Sequence, residues 1–236
     1  MKSPSPTLST QKVIIFDSSS IINLTLNGLL GEFKELKKIF NGKFIIPEEV
    51  HQEIVDRPME IKKFKLEALK IKELVEEKVL ELPDSLGINE AKLSAKTKEM
   101  MGIANNTFFG HENAIHIIDS GETACLVLST LLTEKGIKNV ISVDERTIRM
   151  LGEKPENLLE ILKRKLHVGI KANRENFKFF KGFKFIRSSE LIFLAYKKGI
   201  VKLKNNNRQV LDALLYALKF NGCSISEEEI AEMERM

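Results

Sequence analysis

Cysteine is scarce in this 236-residue chain: Cys125 and Cys223 are the only two, each inside an apolar helical pattern with no partner motif. That argues against a disulfide framework or a zinc site and leaves two buried thiols as the expectation. Long hydrophobic runs are also missing. No apolar stretch approaches the roughly 18 residues of a membrane span. The opening "MKSPSPTLSTQK" has no hydrophobic segment of the signal-peptide kind, so residues 1–11 read as a short disordered lead into a cytoplasmic protein without a membrane partner. No G-x-x-x-x-G-K or G-x-G-x-x-G run occurs, which leaves a nucleotide-cradling loop unsupported. No internal repeat or low-complexity linker marks a second domain.

What is present is enough apolar material, 43% of residues, for a substantial core. The net charge of +4 is unevenly spread. Between Ile161 and Arg187 nine basic residues face the single acid Glu175, so the remainder of the chain is net acidic. Lys163, Arg164 and Lys165 form the densest run, and Phe177, Phe179, Phe180, Phe183 and Phe185 interleave with the later lysines. Such asymmetry points to a polyanionic partner, with a solvated surface as the alternative. Phe183 and Phe185 are expected to face the interior.

Periodicity alternates between strands and helices. "KVIIF" and "KFIIP" read as strands, and helical patterns run through "SSIINLTLNGLL", "GEFKELKKIF" and "EEVHQEIV", the last closed by Arg57-Pro58. A longer helix is expected through "EIKKFKLEALKIKELVEE", then a short third strand at "KVLEL". Residues 83–118 are polar and poorly periodic, an insertion of mixed character. "SGETACLVLSTLLTEKG" is a helix stopped by Gly136, "IKNVISV" a strand, and "FKFI" the last strand. Residues 151–182 form a second, basic insertion, and residues 188–236 are C-terminal helices that complete a single domain. In that tail Leu211, Leu214, Leu215 and Leu218 share one face, and Ser226 and Glu229 have capping-box spacing. The implied fold class is α/β: three layers, α/β/α, around a mostly parallel central sheet, with helical insertions.

The chemistry lies in acids at strand ends. Asp17 closes the first strand within "VIIFDSSSIINL", and Asp144, followed by Glu145, closes "NVISV". Ligands of open parallel sheets bind outside such carboxyl ends. Glu122 opens the helix before the Asp144 strand, and Glu53 borders the buried face of the helix after the second strand. Each has a structural alternative: Asp17 as a helix cap, Glu122 as a partner of a cap at Asp119 or Ser120, Glu53 as an ordinary helical residue. The position two after Asp17 is Ser19, which does not suit aspartyl phosphotransfer. His111 and His116 are five apart and do not share a helical face, so loop or surface histidines are expected. A gathering of carboxylates alone favours a hard divalent cation, Mg²⁺ or Mn²⁺.

These segments resemble the PIN domain, a compact nuclease fold. "VIIFDSSSIINL" is similar to its opening, "IPEEVHQEIV" places Glu53 at its second acid, "SGETACLVLS" resembles the helix bearing the third and "SVDERTIRM" the segment bearing the fourth. The tail resembles that of a prokaryotic toxin-like subgroup. Glu145 stands where that family has a second Asp, and the stretches at residues 83–118 and 151–182 exceed its pattern. The resemblance implies a metal-dependent endoribonuclease acting on single-stranded RNA. Asp17, Glu53, Glu122 and Asp144 would be catalytic, with Asp17, Glu122 and Asp144 as metal ligands and Glu145 in support. Ser19 and Ser188, with Lys163, Arg164 and Lys165, would contact substrate. It also implies, as alternatives, a non-cleaving RNA- or protein-binding module, or a toxin with a small antitoxin-like partner; a homodimer fits the same family.

Overall fold

Lys12–Phe16 forms β1, and everything after its first residue is buried, as a central parallel strand requires. The computed structural model describes residues 11–203 and 208–236. From β1 the chain passes through α1 (Ser18–Leu26) and α2 (Leu30–Ile39) to β2 (Lys43–Ile45), then α3 (Glu48–His51), α4 (Arg57–Met59) and α5 (Lys65–Glu76). Next come α6 (Glu90–Asn105), β3 (Phe108–Gly110), β4 (Asn113–Ala114), α7 (Ser120–Glu134) and β5 (Lys138–Ser142). The chain continues with α8 (Arg146–Glu153), α9 (Pro155–Leu166), β6 (Ile170–Ala172), β7 (Phe185–Ile186), α10 (Ser188–Lys197), α11 (Arg208–Phe220) and α12 (Glu227–Arg235).

The central sheet has the order β2-β1-β5-β7, and every pairing in it is parallel. Helices flank it, giving the three-layer α/β fold expected. Phe16, Phe33 and Phe44 pack ring to ring beside β1 and β2, with centroids 5.0–5.1 Å apart. The turn into β2 passes so close beneath β1 that a Cβ at Gly42 would lie 2.3 Å from the Lys12 carbonyl oxygen; only glycine fits. In the β1–β5 register Phe16 sits opposite Ser142, and the Asp17 N–H donates to the Ser142 carbonyl at 2.9 Å. The carboxyl ends of the two strands therefore finish together, with Asp17 and Asp144 just beyond them.

Several elements differ from expectation. "KVLEL" is not a strand: Glu81 makes one parallel bridge to Ile45, because Lys78 takes a positive φ of 57° and Pro83 lacks a donor. Arg57-Pro58 does not close a helix at residue 55. The chain widens into a π turn over Gln52–Asp56 and resumes as α4, with Pro58 in the first turn, where its missing N–H costs little. The helix expected from Ser19 to Leu30 breaks after Leu26, where Gly28 adopts φ 70°. The helix expected from Glu60 begins at Lys65. The capping box at Ser226 and Glu229 forms, Gly136 adopts φ 74° after α7, and both cysteines are free and buried. Residues 1–10 of the expected lead, and Asn206 and Asn207 ahead of α11, lie outside the described residues.

The larger difference concerns residues 83–118 and 151–182. The first contains the sixteen-residue α6, which packs on α7, and the β3–β4 hairpin. The second supplies β6, which pairs antiparallel with β3, so both stretches meet in one small sheet of order β4-β3-β6. The Asn176 side-chain amide donates to the Ile103 and Asn106 carbonyls and to Thr107 Oγ1, each at 3.2 Å, and Phe177 packs on Phe108. Phe177 and Phe180 are the buried rings here, whereas Phe183 and Phe185 are only partly covered and Phe179 is exposed. No helix among the described residues is long and apolar enough to cross a membrane.

Candidate active site

Asp17 ends β1 in extended backbone and caps α1. Its Oδ2 accepts from the Ser19 N–H at 3.0 Å and from Ser19 Oγ at 2.5 Å. Its other oxygen, Oδ1, is buried and has no partner; it is the only such side-chain polar atom among the described residues. Burial raises the Asp17 pKa to about 6, the Ser19 hydrogen bonds opposing the shift and nearby Asp119 adding to it. A buried carboxylate oxygen without a donor is costly unless something positive meets it.

Asp17 opens into a crevice of about 320 Å³ that is also lined by Ser18, Ser19, His116, Asp119, Glu122 and Glu145. Asp119 and Glu122 form a reciprocal capping box at the start of α7: the Glu122 N–H donates to Asp119 Oδ1 at 2.9 Å, and the Asp119 N–H to Glu122 Oε2 at 3.1 Å. Burial, then the charges of Asp17 and Asp119, push Glu122 up to about 9. Glu53 arrives from the π turn, which lies against α7. Its carboxylate presses on Gly121, where a Cβ would lie 2.9 Å from Oε2. Burial, then Asp119, raises Glu53 to about 7, and the charge of Asp17 adds to the shift. The glycine before Glu122 thus makes room for the second acid.

Asp144 follows the neighbouring strand but is used differently. Its Oδ1 accepts from the Ser188 N–H at 2.8 Å, and its Oδ2 from Ser188 Oγ at 2.6 Å and Asn23 Nδ2 at 2.7 Å. It is 1% exposed and does not line the crevice. Glu145, the next residue, does. Ser19 joins the two aspartates, since its Oγ donates to Asp17 and accepts from the Asp144 N–H at 3.0 Å. Ser188, expected at the substrate, is fully buried beneath Asp144, so it holds an acid rather than a phosphate. Lys163, Arg164 and Lys165 fall in the last turn of α9, outside the crevice lining, and Lys163 pairs with Glu160 at 2.8 Å. Arg187, counted in the basic window, is buried and bonded to Glu190, Glu229 and the Ser224 carbonyl.

Four lining residues, His116, Ile117, Ile118 and Asp119, come from or beside the first insertion. Asn105 Oδ1 accepts from the Ile117 and Ile118 N–H groups, and its amide donates to the Ile118 carbonyl, which fixes the backbone leading into Asp119. His116 stands on that wall. Asp119 could be suspected from sequence as a cap, but its place among the acids follows from the same i, i+3 spacing to Glu122 that makes the capping box. His116 has no comparable signal, because the loop that delivers it is set by Asn105 from a different element.

Residues 13–107 match the model described as "DUF3368: PIN domain". Over these residues, less than half of its length, the chain is similar to a PIN domain. The matched residues run from β1 through α6 and include Asp17 and Glu53; Glu122 and Asp144 lie beyond them. No curated protein and no solved structure matches the chain. PIN domains are generally nucleases and typically bind divalent metals. The donors at this crevice fit such a cation, since Asp17, Glu53 and Glu122 carry raised pKa values and Asp17 Oδ1 lacks a partner. Among the described residues only Glu48, His51 and Asp56, outside the crevice, bring three candidate donor atoms within 4.8 Å of one another. The crevice acids therefore stand wider apart, an arrangement compatible with a cation that keeps part of its water shell.

Proposed function

We propose that the chain is a Mg²⁺- or Mn²⁺-dependent endoribonuclease of single-stranded RNA, one PIN-like domain into which residues 83–118 and 151–182 are inserted and which residues 188–236 complete. The observation that carries this reading is Asp17 Oδ1, buried and unpartnered where Glu53, Asp119, Glu122 and Glu145 converge. When bound, a divalent cation supplies the positive charge that crowded carboxylates need and the acidity that water needs to attack phosphorus. Asp17, Glu122 and Glu145 would hold it. Asp144 contributes by position: through Ser19 it fixes the carboxylate of Asp17, and through Ser188 it locks the carboxyl end of β5. Glu53, with its carboxylate against Gly121 and a pKa near neutrality, would take the proton from the attacking water.

The test is cleavage of an end-labelled single-stranded RNA with Mn²⁺ and with EDTA, for wild type and for Asp17→Asn and Glu122→Gln. Cleavage only with metal, lost in both variants, supports the reading. Equal cleavage by all three proteins would mean a contaminating nuclease and end the assignment.

A further inference from the structure

Glu53 has a second face. Besides approaching Gly121 it lines, with Arg57 and Glu67, an apolar groove of about 340 Å³ between α1 and the α4–α5 segment, whose exposed apolar members are Ile22, Leu26, Ile61 and Phe64. These are large apolar groups left in water: Leu26 is 55% exposed, Ile61 47% and Phe64 44%. The segment forming the outer wall, residues 57–65, carries Arg57, Lys62, Lys63 and Lys65 against the single acid Glu60. None of these four cations forms an ion pair among the described residues. In the expected basic window Lys163, Arg174 and Arg187 are paired, while the other six cations, like those of this wall, form no ion pair among the described residues. Lys63 Nζ stands over the Phe64 ring at 5.1 Å.

An apolar slot with an exposed aromatic ring, walled by a segment of unpaired cations and reached by Glu53, whose carboxylate meets Gly121 beside the acid crevice, has the composition of a single-strand subsite: base against ring, phosphate against lysine. We propose that this groove seats an unpaired base of the RNA next to the phosphate held at the acid crevice, with Lys62, Lys63 and Lys65 on the neighbouring phosphates. The inference rests on the nuclease reading for the identity of the strand. A protein helix would fill the apolar slot equally well, but only a nucleic-acid strand brings an anion with every residue to the unpaired cations of the wall.

The test uses the intact chain in Ca²⁺ with a short thiouridine-containing single-stranded RNA, read by photocrosslinking and by anisotropy. Crosslinks within residues 58–71, together with roughly tenfold or greater weakening of binding by Phe64→Ala, are expected. Joint replacement of Lys62, Lys63 and Lys65 by Ala should flatten the salt dependence of binding by close to one log unit per lost phosphate contact. This second variant keeps the test decisive should Phe64→Ala melt early. Crosslinks confined to residues 161–187 overturn the proposal, as does a Phe64→Ala variant that binds RNA normally but loses a wild-type dimer in light scattering. RNA crosslinked here yet never cut with Mn²⁺ would end the nuclease reading and keep the groove; RNA cut but crosslinked elsewhere would do the reverse.

Discussion

Asp17 and Asp144 end adjacent parallel strands, are both buried, and are joined through one serine hydroxyl, yet they are chemically opposite. Asp144 has three donors from Ser188 and Asn23, while Asp17 has one oxygen satisfied by Ser19 and one facing an acid crevice with nothing to accept. A satisfied buried carboxylate is structure; an unsatisfied one among other acids is a site awaiting charge. Sequence position alone does not separate the two.

Substitution can break that contrast. The largest effect expected is on activity: Asp17→Asn should lower metal-dependent cleavage by more than about 100-fold, measured on labelled RNA, while leaving metal-free thermal stability equal or raised. The gain in stability arises because Asn keeps a cap-competent oxygen and removes a repelling charge. Asp144→Ala should show its main effect in the melt. It strands three buried donors at about 1–3 kcal/mol each, so unfolding in urea should shift by several kcal/mol even with EDTA present. If Asp144→Ala melted like wild type, the division of labour drawn here would be wrong.

A finer probe is Gly121→Ala. The added methyl meets the flexible end of Glu53 rather than backbone, so stability should barely change while the carboxylate is displaced, with cleavage falling about tenfold. Comparing kcat with the melting temperature of this variant separates placement of Glu53 from folding.

The raised pKa values predict a pH signature. Asp17, Glu53 and Glu122 release protons near 6, 7 and 9 in the folded chain, against roughly 4 when unfolded. The unfolded state therefore deprotonates first, and the stability these groups contribute below pH about 4 is lost as pH rises through those folded values. Metal-free melts should fall over that window, and excess Mg²⁺ should flatten the slope because a cation favours the ionised forms. Identical slopes with and without metal would mean that the crevice does not bind it. The smallest effect is expected for joint replacement of Lys163, Arg164 and Lys165 by Ala: the exposed Lys163–Glu160 pair is worth at most about 0.5 kcal/mol, so chemical denaturation should hardly register it.

Much of this was legible in sequence where the signal is local. The burial of "VIIF", the strand-end acids, the Ser226 cap and the leucine face of α11 all follow from period and neighbours. The failures share a cause: they depend on partners distant in sequence. Residues 83–118 look aperiodic because α6 buries only Leu93, Thr97 and Ala104, too sparse a stripe to read. "KVLEL" resembles a strand but has only the edge of β2 to meet. Ser188 and Glu145 could not be assigned to opposite sides of the Asp144 backbone without the turn that separates them. His116 enters the crevice because Asn105, eleven residues earlier, grips the peptide groups after it.

The Asn23 amide that steadies Asp144 also donates to the Leu218 carbonyl at 3.0 Å, while Asp144 waits on Ser188. During synthesis, the first 144 residues carry Asp17, Glu53, Glu122 and Asp144 together with Asn23, but neither Ser188 nor Leu218. The full set of contacts that holds Asp144 is therefore completed only once Leu218, near the end of the chain, has emerged.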